Sequence, residues 1–183
     1  MLKNTSKTAL CAIITGLSIT FMLLTAVIPF LSYVIPAICG ALMLIVVIEC
    51  NTKWALLVYA SVSILSLIII PDKSAGIAYV LIFGYFPIIK NIFEQKLPNW
   101  LSYLLKVVIF NIVLLAAFYL ALLVFGIDTE GIEWITPYLT KWYIAPLIIF
   151  FTTIFMSMYD NVLSKFIIIY KKKWRKKLNK TLK

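Results

Sequence analysis

One uncharged apolar run near the N-terminus constrains this chain more than any other feature. Residues 8–30 read TALCAIITGLSITFMLLTAVIPF and contain no Asp, Glu, Lys or Arg. The run is long enough to cross a bilayer as one helix, which needs about 20 apolar residues. Hydrophobic residues make up 63% of the 183-residue chain, and a soluble domain of that composition would expose too much apolar surface. The sequence therefore predicts one polytopic membrane domain.

Six apolar segments follow one another along the chain, and each predicts a transmembrane helix. Their approximate ranges are 8–30, 33–49, 54–70, 75–89, 101–126 and 142–169. The fourth segment is the shortest, and Gly84 and Pro87 interrupt it. The predicted fold is an all-α integral membrane protein, with residues 1–170 forming a bundle of six transmembrane helices and residues 171–183 forming a basic tail.

The distribution of basic residues predicts the orientation of the bundle. The formal net charge is +10, and of the 17 Lys and Arg only Lys73 and Lys141 fall on the side opposite to the termini. The positive-inside rule then places both termini in the cytoplasm, as in a multi-pass protein of the bacterial cytoplasmic membrane. In the tail, basic side chains and one Trp are expected to bind membrane lipid at the inner leaflet. These residues are Lys171, Lys172, Lys173, Trp174, Arg175, Lys176 and Lys177. Nucleic-acid binding is not predicted, because no folded basic module accompanies the tail.

A few charged residues lie near the predicted cytoplasmic helix ends. Because long side chains there can extend to water, Lys90 and Lys106 are expected to snorkel, and Glu49 and Asp160 to reach solvent. A voltage sensor or an ion-coupled carrier would need a charge near mid-depth, so neither is predicted. Two interpretations of the polar group on the sixth segment stay open, a partner-docking site or a helix leaving the membrane. That group consists of Ser157, Asp160, Asn161, Ser164 and Lys165.

The chain carries no pattern typical of catalysis. It has no His, its three Cys show no CxxC spacing, and no pairing of a nucleophile with a base is apparent. We therefore predict a protein that is not an enzyme and that uses no cofactor and no metal.

Aromatic residues gather near the predicted outer ends of the segments, and two interpretations of them stay open. An interfacial aromatic belt accounts for most of them. The other interpretation is an outward-facing cavity, where aromatic rings stack on a flat solute and charged groups bind its polar edge. The candidate substrate-binding residues are Tyr33, Asp72, Lys73, Tyr79, Tyr119, Trp134 and Tyr143.

Small residues recur every four positions in the first segment, at Thr8, Ala12, Gly16 and Thr20. This spacing places them on one helix face, where another helix can approach closely. With six spans, cytoplasmic termini and outer aromatics, the chain resembles the substrate-binding S components of energy-coupling-factor (ECF) transporters. That family uses an AxxxA motif in its first helix, and Ala12 and Gly16 stand at the matching positions, with Gly in place of the second Ala.

The resemblance implies both partners and a function. It implies that Ala12 and Gly16 dock on a transmembrane scaffold subunit, which two cytoplasmic ATPases drive. It also implies that Tyr33, Tyr79 and the equivalent tyrosines of segments 5 and 6, Tyr119 and Tyr143, bind a solute near the outer face. The lack of His argues against the nickel and cobalt branches, so a small organic, vitamin-like solute is expected.

A second hypothesis is a non-catalytic membrane scaffold or interaction protein. Such a protein would resemble the rod-shape protein MreD, or an immunity or defence component, and would act through its basic cytoplasmic tail instead of an outer cavity.

Overall fold

The computed structural model describes residues 4–125 and 144–174, and all regular structure in these ranges is helical. The first half contains α1 (Asn4–Leu23), two 3₁₀ turns (Leu24–Ala26 and Pro29–Leu31), α2 (Val34–Glu49) and α3 (Thr52–Ile69). The second half contains α4 (Lys73–Ala78), a π-helical segment (Tyr79–Phe83), α5 (Phe86–Lys96), α6 (Asn99–Phe125), α7 (Ile144–Ile169) and a final π-helical segment (Tyr170–Trp174). The prediction of an all-α chain is confirmed for the described residues.

Four of the helical stretches are long and apolar enough to cross a membrane. They are Thr5–Ala26, Thr52–Ile69, Lys73–Lys96 and Asn99–Ala116, and α2 is apolar but shorter. These helices are compatible with a membrane protein. The number of crossings and the side on which each terminus lies stay predictions.

The α4–α5 rod, defined as Lys73–Lys96, is longer than the segment predicted at 75–89. Neither Gly84 nor Pro87 ends it. The Gly84 N–H donates to the Tyr79 carbonyl at 2.7 Å, which closes a π-type turn and carries the helix onward. Pro87 lies in the first turn of α5, where a missing N–H costs little because that turn has no intrahelical acceptor for it.

Helix α2 is the centre of the bundle and separates two apolar clusters. One side packs with α1 and α3, through residues such as Cys39, Met43 and Val62. The other side packs with the rod, α6 and α7, through residues such as Leu44 and Phe86. The three cysteines are buried free thiols.

Gly40 is the point of closest approach of α2 to the second side. A Cβ at this position would lie 2.6 Å from the Phe83 carbonyl oxygen and 2.5 Å from Tyr159 Oη. A side chain would therefore push α2 away from both the rod and α7.

Candidate functional site

The most highly organised polar site among the described residues is a charge cluster of Lys90, Glu94, Lys106, Asp160 and Ser164. Lys90 Nζ donates to Glu94 Oε1 at 2.7 Å, to Asp160 Oδ1 at 2.8 Å and to Ser164 Oγ at 2.8 Å. Lys106 Nζ donates to Glu94 Oε1 at 3.0 Å and to the two carboxylate oxygens of Asp160 at 2.9 and 3.1 Å. Two ammonium groups thus share two carboxylates.

Three helices bring the charge cluster together. Lys90 and Glu94 lie four residues apart on one face of α5, and Asp160 and Ser164 stand in the same relation on α7. Lys106 lies at the start of the third turn of α6, which begins directly after the short turn that ends the rod. Ser164 Oγ also donates to the Asp160 carbonyl oxygen at 2.9 Å, which holds the hydroxyl ready to accept from Lys90.

The expectation that Lys90 and Lys106 snorkel to water is wrong. Lys90 is completely buried and the exposed fraction of Lys106 is 3%. A buried ammonium group is tolerated only when it is paired and hydrogen-bonded. The mostly buried Asp160 and the partly exposed Glu94 supply those partners, so neither lysine has to extend to the interface.

The structure divides the polar group predicted on the sixth segment. Asp160 and Ser164 face the charge cluster, whereas Asn161 and Lys165 are exposed. Glu49 stands apart and accepts a hydrogen bond from Tyr170 Oη at 3.4 Å. Glu94 was not predicted as a site residue, although a Lys–Glu pair four residues apart at the end of an apolar helix is a recognisable signal.

The cluster is suited to holding helices in place. It contains two positive and two negative side chains, and each ammonium group contacts both carboxylates. Breaking such a buried pair is far more costly than breaking an exposed one, because the remaining charge cannot reach water. The cluster therefore ties α5, α6 and α7 together at one end of the bundle.

The predicted substrate-binding residues occupy different environments. Tyr33 is 64% exposed, whereas Tyr79 is 1% exposed and packs against the Tyr59 ring at a centroid distance of 6.2 Å. Lys73 Nζ donates to the Leu67 carbonyl oxygen at 2.7 Å. The side chains of Tyr119, Trp134 and Tyr143 lie outside the described residues.

Asp72 is the N-cap of α4. Its Oδ1 atom accepts from the backbone N–H groups of Ser74 at 3.1 Å and Ala75 at 3.4 Å. Burial alone would raise the pKa of the carboxyl group, but hydrogen bonds from the Ser32 and Ser74 side chains and from these backbone amides outweigh burial and lower the pKa. Asp72 is therefore ionised at neutral pH and stabilises the start of the rod.

The small-residue face of α1, defined as Thr8, Ala12, Gly16 and Thr20, is exposed. A Cβ built on Gly16 would meet no heavy atom within 4 Å. The opposite face of α1 is buried against α2 and α3 and consists of Cys11, Ile14, Ser18 and Met22. Helix α1 thus packs into the bundle with one face and leaves the small-residue face uncovered.

The tail residues are described only in part. Lys171 and Lys172 are exposed on the final π-helical segment. The side chains of Lys173 and Trp174, together with Arg175, Lys176 and Lys177, lie outside the described residues.

Comparisons with protein-family models, with curated proteins and with solved structures gave no match. The function is therefore inferred from the residues of this chain.

Proposed function

We propose that this chain is a non-enzymatic membrane subunit that acts through a partner helix, specifically the substrate-binding subunit of an ECF-type importer. The observation that carries the proposal is the uncovered small-residue face of α1. The proposed partners are a transmembrane scaffold subunit, which docks at Ala12 and Gly16, and the cytoplasmic ATPases that drive it.

The physics of helix association in lipid supports this use of α1. Burying apolar side chains gives little net drive there, because lipid tails are as apolar as the side chains. Close approach of two backbones over small residues gives dispersion contacts that lipid cannot match. Around Gly16 the larger neighbours Ile13 and Leu17 are also exposed, and they would form one rim of a shallow groove for the incoming helix.

The proposed cargo is a small organic, vitamin-like solute taken up from outside. Tyr33, Asp72, Lys73 and Tyr79 are the proposed binding residues within the described ranges, with Tyr119, Trp134 and Tyr143 beyond them. Tyr33 offers an exposed ring, whereas Tyr79 lies in the core. Solute binding would then require Tyr79 to be uncovered by movement of the α4–α5 rod.

The docking proposal is tested by affinity purification from native membranes, with mass spectrometry of the captured proteins. Wild type is expected to bring down a multi-pass scaffold protein together with ATPases. Gly16→Leu fills the groove and is expected to abolish capture, whereas Ile112→Phe, at an exposed apolar position on α6, is the matched control and should retain it. Capture of the same proteins by Gly16→Leu, or no ATPase with wild type, would contradict the proposal.

One observation favours the alternative of a membrane scaffold or interaction protein. Tyr79 is buried in a packed core, as expected for a bundle without a solute-binding cavity at this position. Under this alternative, neutralising the basic residues at 171–177 abolishes function while Tyr79→Phe is silent. Native mass spectrometry separates the two, because only a solute-binding subunit retains a small organic molecule after purification.

A further inference from the structure

The charge cluster has a buried part and an exposed part, and the two differ in net charge. Lys90 is completely buried, Lys106 is 3% exposed and the Asp160 side chain is 14% exposed. Together these three side chains carry a net charge of +1. The side chain of Glu94 is 40% exposed and supplies the fourth charge. A single exposed carboxylate thus neutralises a buried cationic core.

Glu94 can leave this position without stripping either ammonium group of its partners. Both of its contacts use one oxygen, Oε1. Without it, Lys90 still contacts Asp160 and Ser164, and Lys106 still contacts both Asp160 carboxylate oxygens. What remains is a preorganised site in which two ammonium groups converge and carry one uncompensated positive charge. Such a site is suited to binding one singly charged anion.

Two observations favour a position of the site at the level of lipid headgroups. Glu94 is two residues from the end of α5, within about 3 Å along the helix axis. Trp100, on the first turn of α6, is 70% exposed, and exposed Trp side chains concentrate at the membrane interface. The exposed edge of the charge cluster therefore faces the level of the phosphates.

We propose that Lys90 and Lys106 form a binding site for the phosphate of an anionic phospholipid, and that Glu94 is an internal substitute which the phosphate displaces. The phosphate would accept hydrogen bonds from both ammonium groups in place of Glu94 Oε1. The site ties one lipid molecule to the junction of α5, α6 and α7. It requires a chain embedded in a bilayer and is independent of solute transport.

Removing the internal competitor provides the test. Full-length protein is incubated with phosphatidylglycerol or phosphatidylcholine in detergent, and retained lipid is measured by native mass spectrometry. Glu94→Gln is expected to raise phosphatidylglycerol retention about fivefold, because the phosphate no longer competes with a carboxylate for the two ammonium groups. Glu49→Gln is the matched control, because it removes the same charge from a carboxylate that contacts Tyr170; its retention should stay close to that of wild type.

A second variant and a soluble anion complete the experiment. Glu94→Asp keeps the charge but shortens the reach to the lysines, so its retention should lie between those of wild type and Glu94→Gln. Equal retention by Glu94→Gln and Glu49→Gln would overturn the proposal. Equal gains for the two lipids would also overturn it. Inorganic phosphate at millimolar concentration should leave retention unchanged, and full competition by it would assign the site to a soluble phosphate instead of a lipid.

Discussion

The two ends of the α4–α5 rod carry similar charges and use them in opposite ways. At one end Asp72 caps α4 and also accepts a hydrogen bond from the uncharged Ser32 side chain. Neither Asp72 nor Lys73 has an ion-pair partner within residues 4–125 and 144–174. At the other end Lys90 reaches Asp160, 70 positions away, and shares it with Lys106. A charge near a helix end therefore acts as a cap or as an anchor depending on whether another helix brings an opposite charge to it.

The largest effect is expected from a substitution in the charge cluster. Asp160→Asn keeps the shape of the side chain but leaves two buried ammonium groups with Glu94 as their only charged partner. We expect the free energy of unfolding to fall by about 3 to 5 kcal/mol, as when one member of a buried ion pair is removed. The measurement is denaturant titration of the protein in mixed micelles.

The control for this prediction is Glu49→Gln. Glu49 is half-buried and lies outside the charge cluster. Its replacement leaves both buried ammonium groups with their carboxylates, so the free energy of unfolding should fall by about 1 kcal/mol or less. Equal losses for the two variants would mean that the charge cluster contributes no more than an ordinary surface contact.

A smaller effect is expected between the two ends, where α2 contacts the rod. Gly40→Ala places a methyl group against the Phe83 carbonyl oxygen and Tyr159 Oη. Overpacking of this kind costs about 1 to 3 kcal/mol, and we expect the same titration to show that loss. An unchanged value would mean that α2 and the rod can separate freely, so that only the charge cluster holds this side of the bundle.

Asp72→Ala tests the start of the rod. The free energy of unfolding should fall by about 1 kcal/mol, the usual contribution of an N-cap. The pH dependence isolates the charge. Because folding lowers the pKa of Asp72 below its ordinary value of 3.8, the charge stabilises the fold fully above that value, and the benefit disappears as pH falls through the lower folded pKa. The difference in stability between wild type and Asp72→Asn should therefore vanish in acid, and a constant difference would contradict this role.

The smallest expected effect comes from the surface that neither end of the rod touches. Gly16→Ala adds a methyl group where no heavy atom lies within 4 Å. Ala favours the helix over Gly by up to about 1 kcal/mol, so stability should stay unchanged or rise slightly. The difference in stability between Gly16→Ala and Gly40→Ala measures how much the close helix contact at Gly40 contributes. A lower stability of Gly16→Ala would show that another helix covers this face of α1 in the isolated protein.

The helical nature of the chain could be predicted because it depends on local composition. The uncharged apolar run at 8–30 and the other apolar segments favour helices in a bilayer. Without water there, every backbone N–H and C=O group must find its hydrogen-bond partner within the segment. The extent of the rod could not be read in the same way. Gly84 and Pro87 are typical helix breakers, yet a π-type turn and a first-turn position accommodate them.

The candidate sites show the same division. The grouping of Ala12 and Gly16 on one face of α1 follows from a four-residue spacing within one helix, so the sequence alone identified that face. The charge cluster draws on three helices, and no spacing along the chain relates Lys106 to Asp160. The interpretation of Lys90 as a snorkelling residue was wrong for this reason.

Composition and local spacing are enough to predict that the chain is apolar, helical and basic. Each of these properties adds up over single residues or depends on a pattern within one segment. The tertiary structure decided which face of α1 stays open, that Tyr79 is buried while Tyr33 is not, and that two lysines lie inside the bundle. The reason is that the cost of burying a charge or exposing a ring depends on the neighbours that other helices supply.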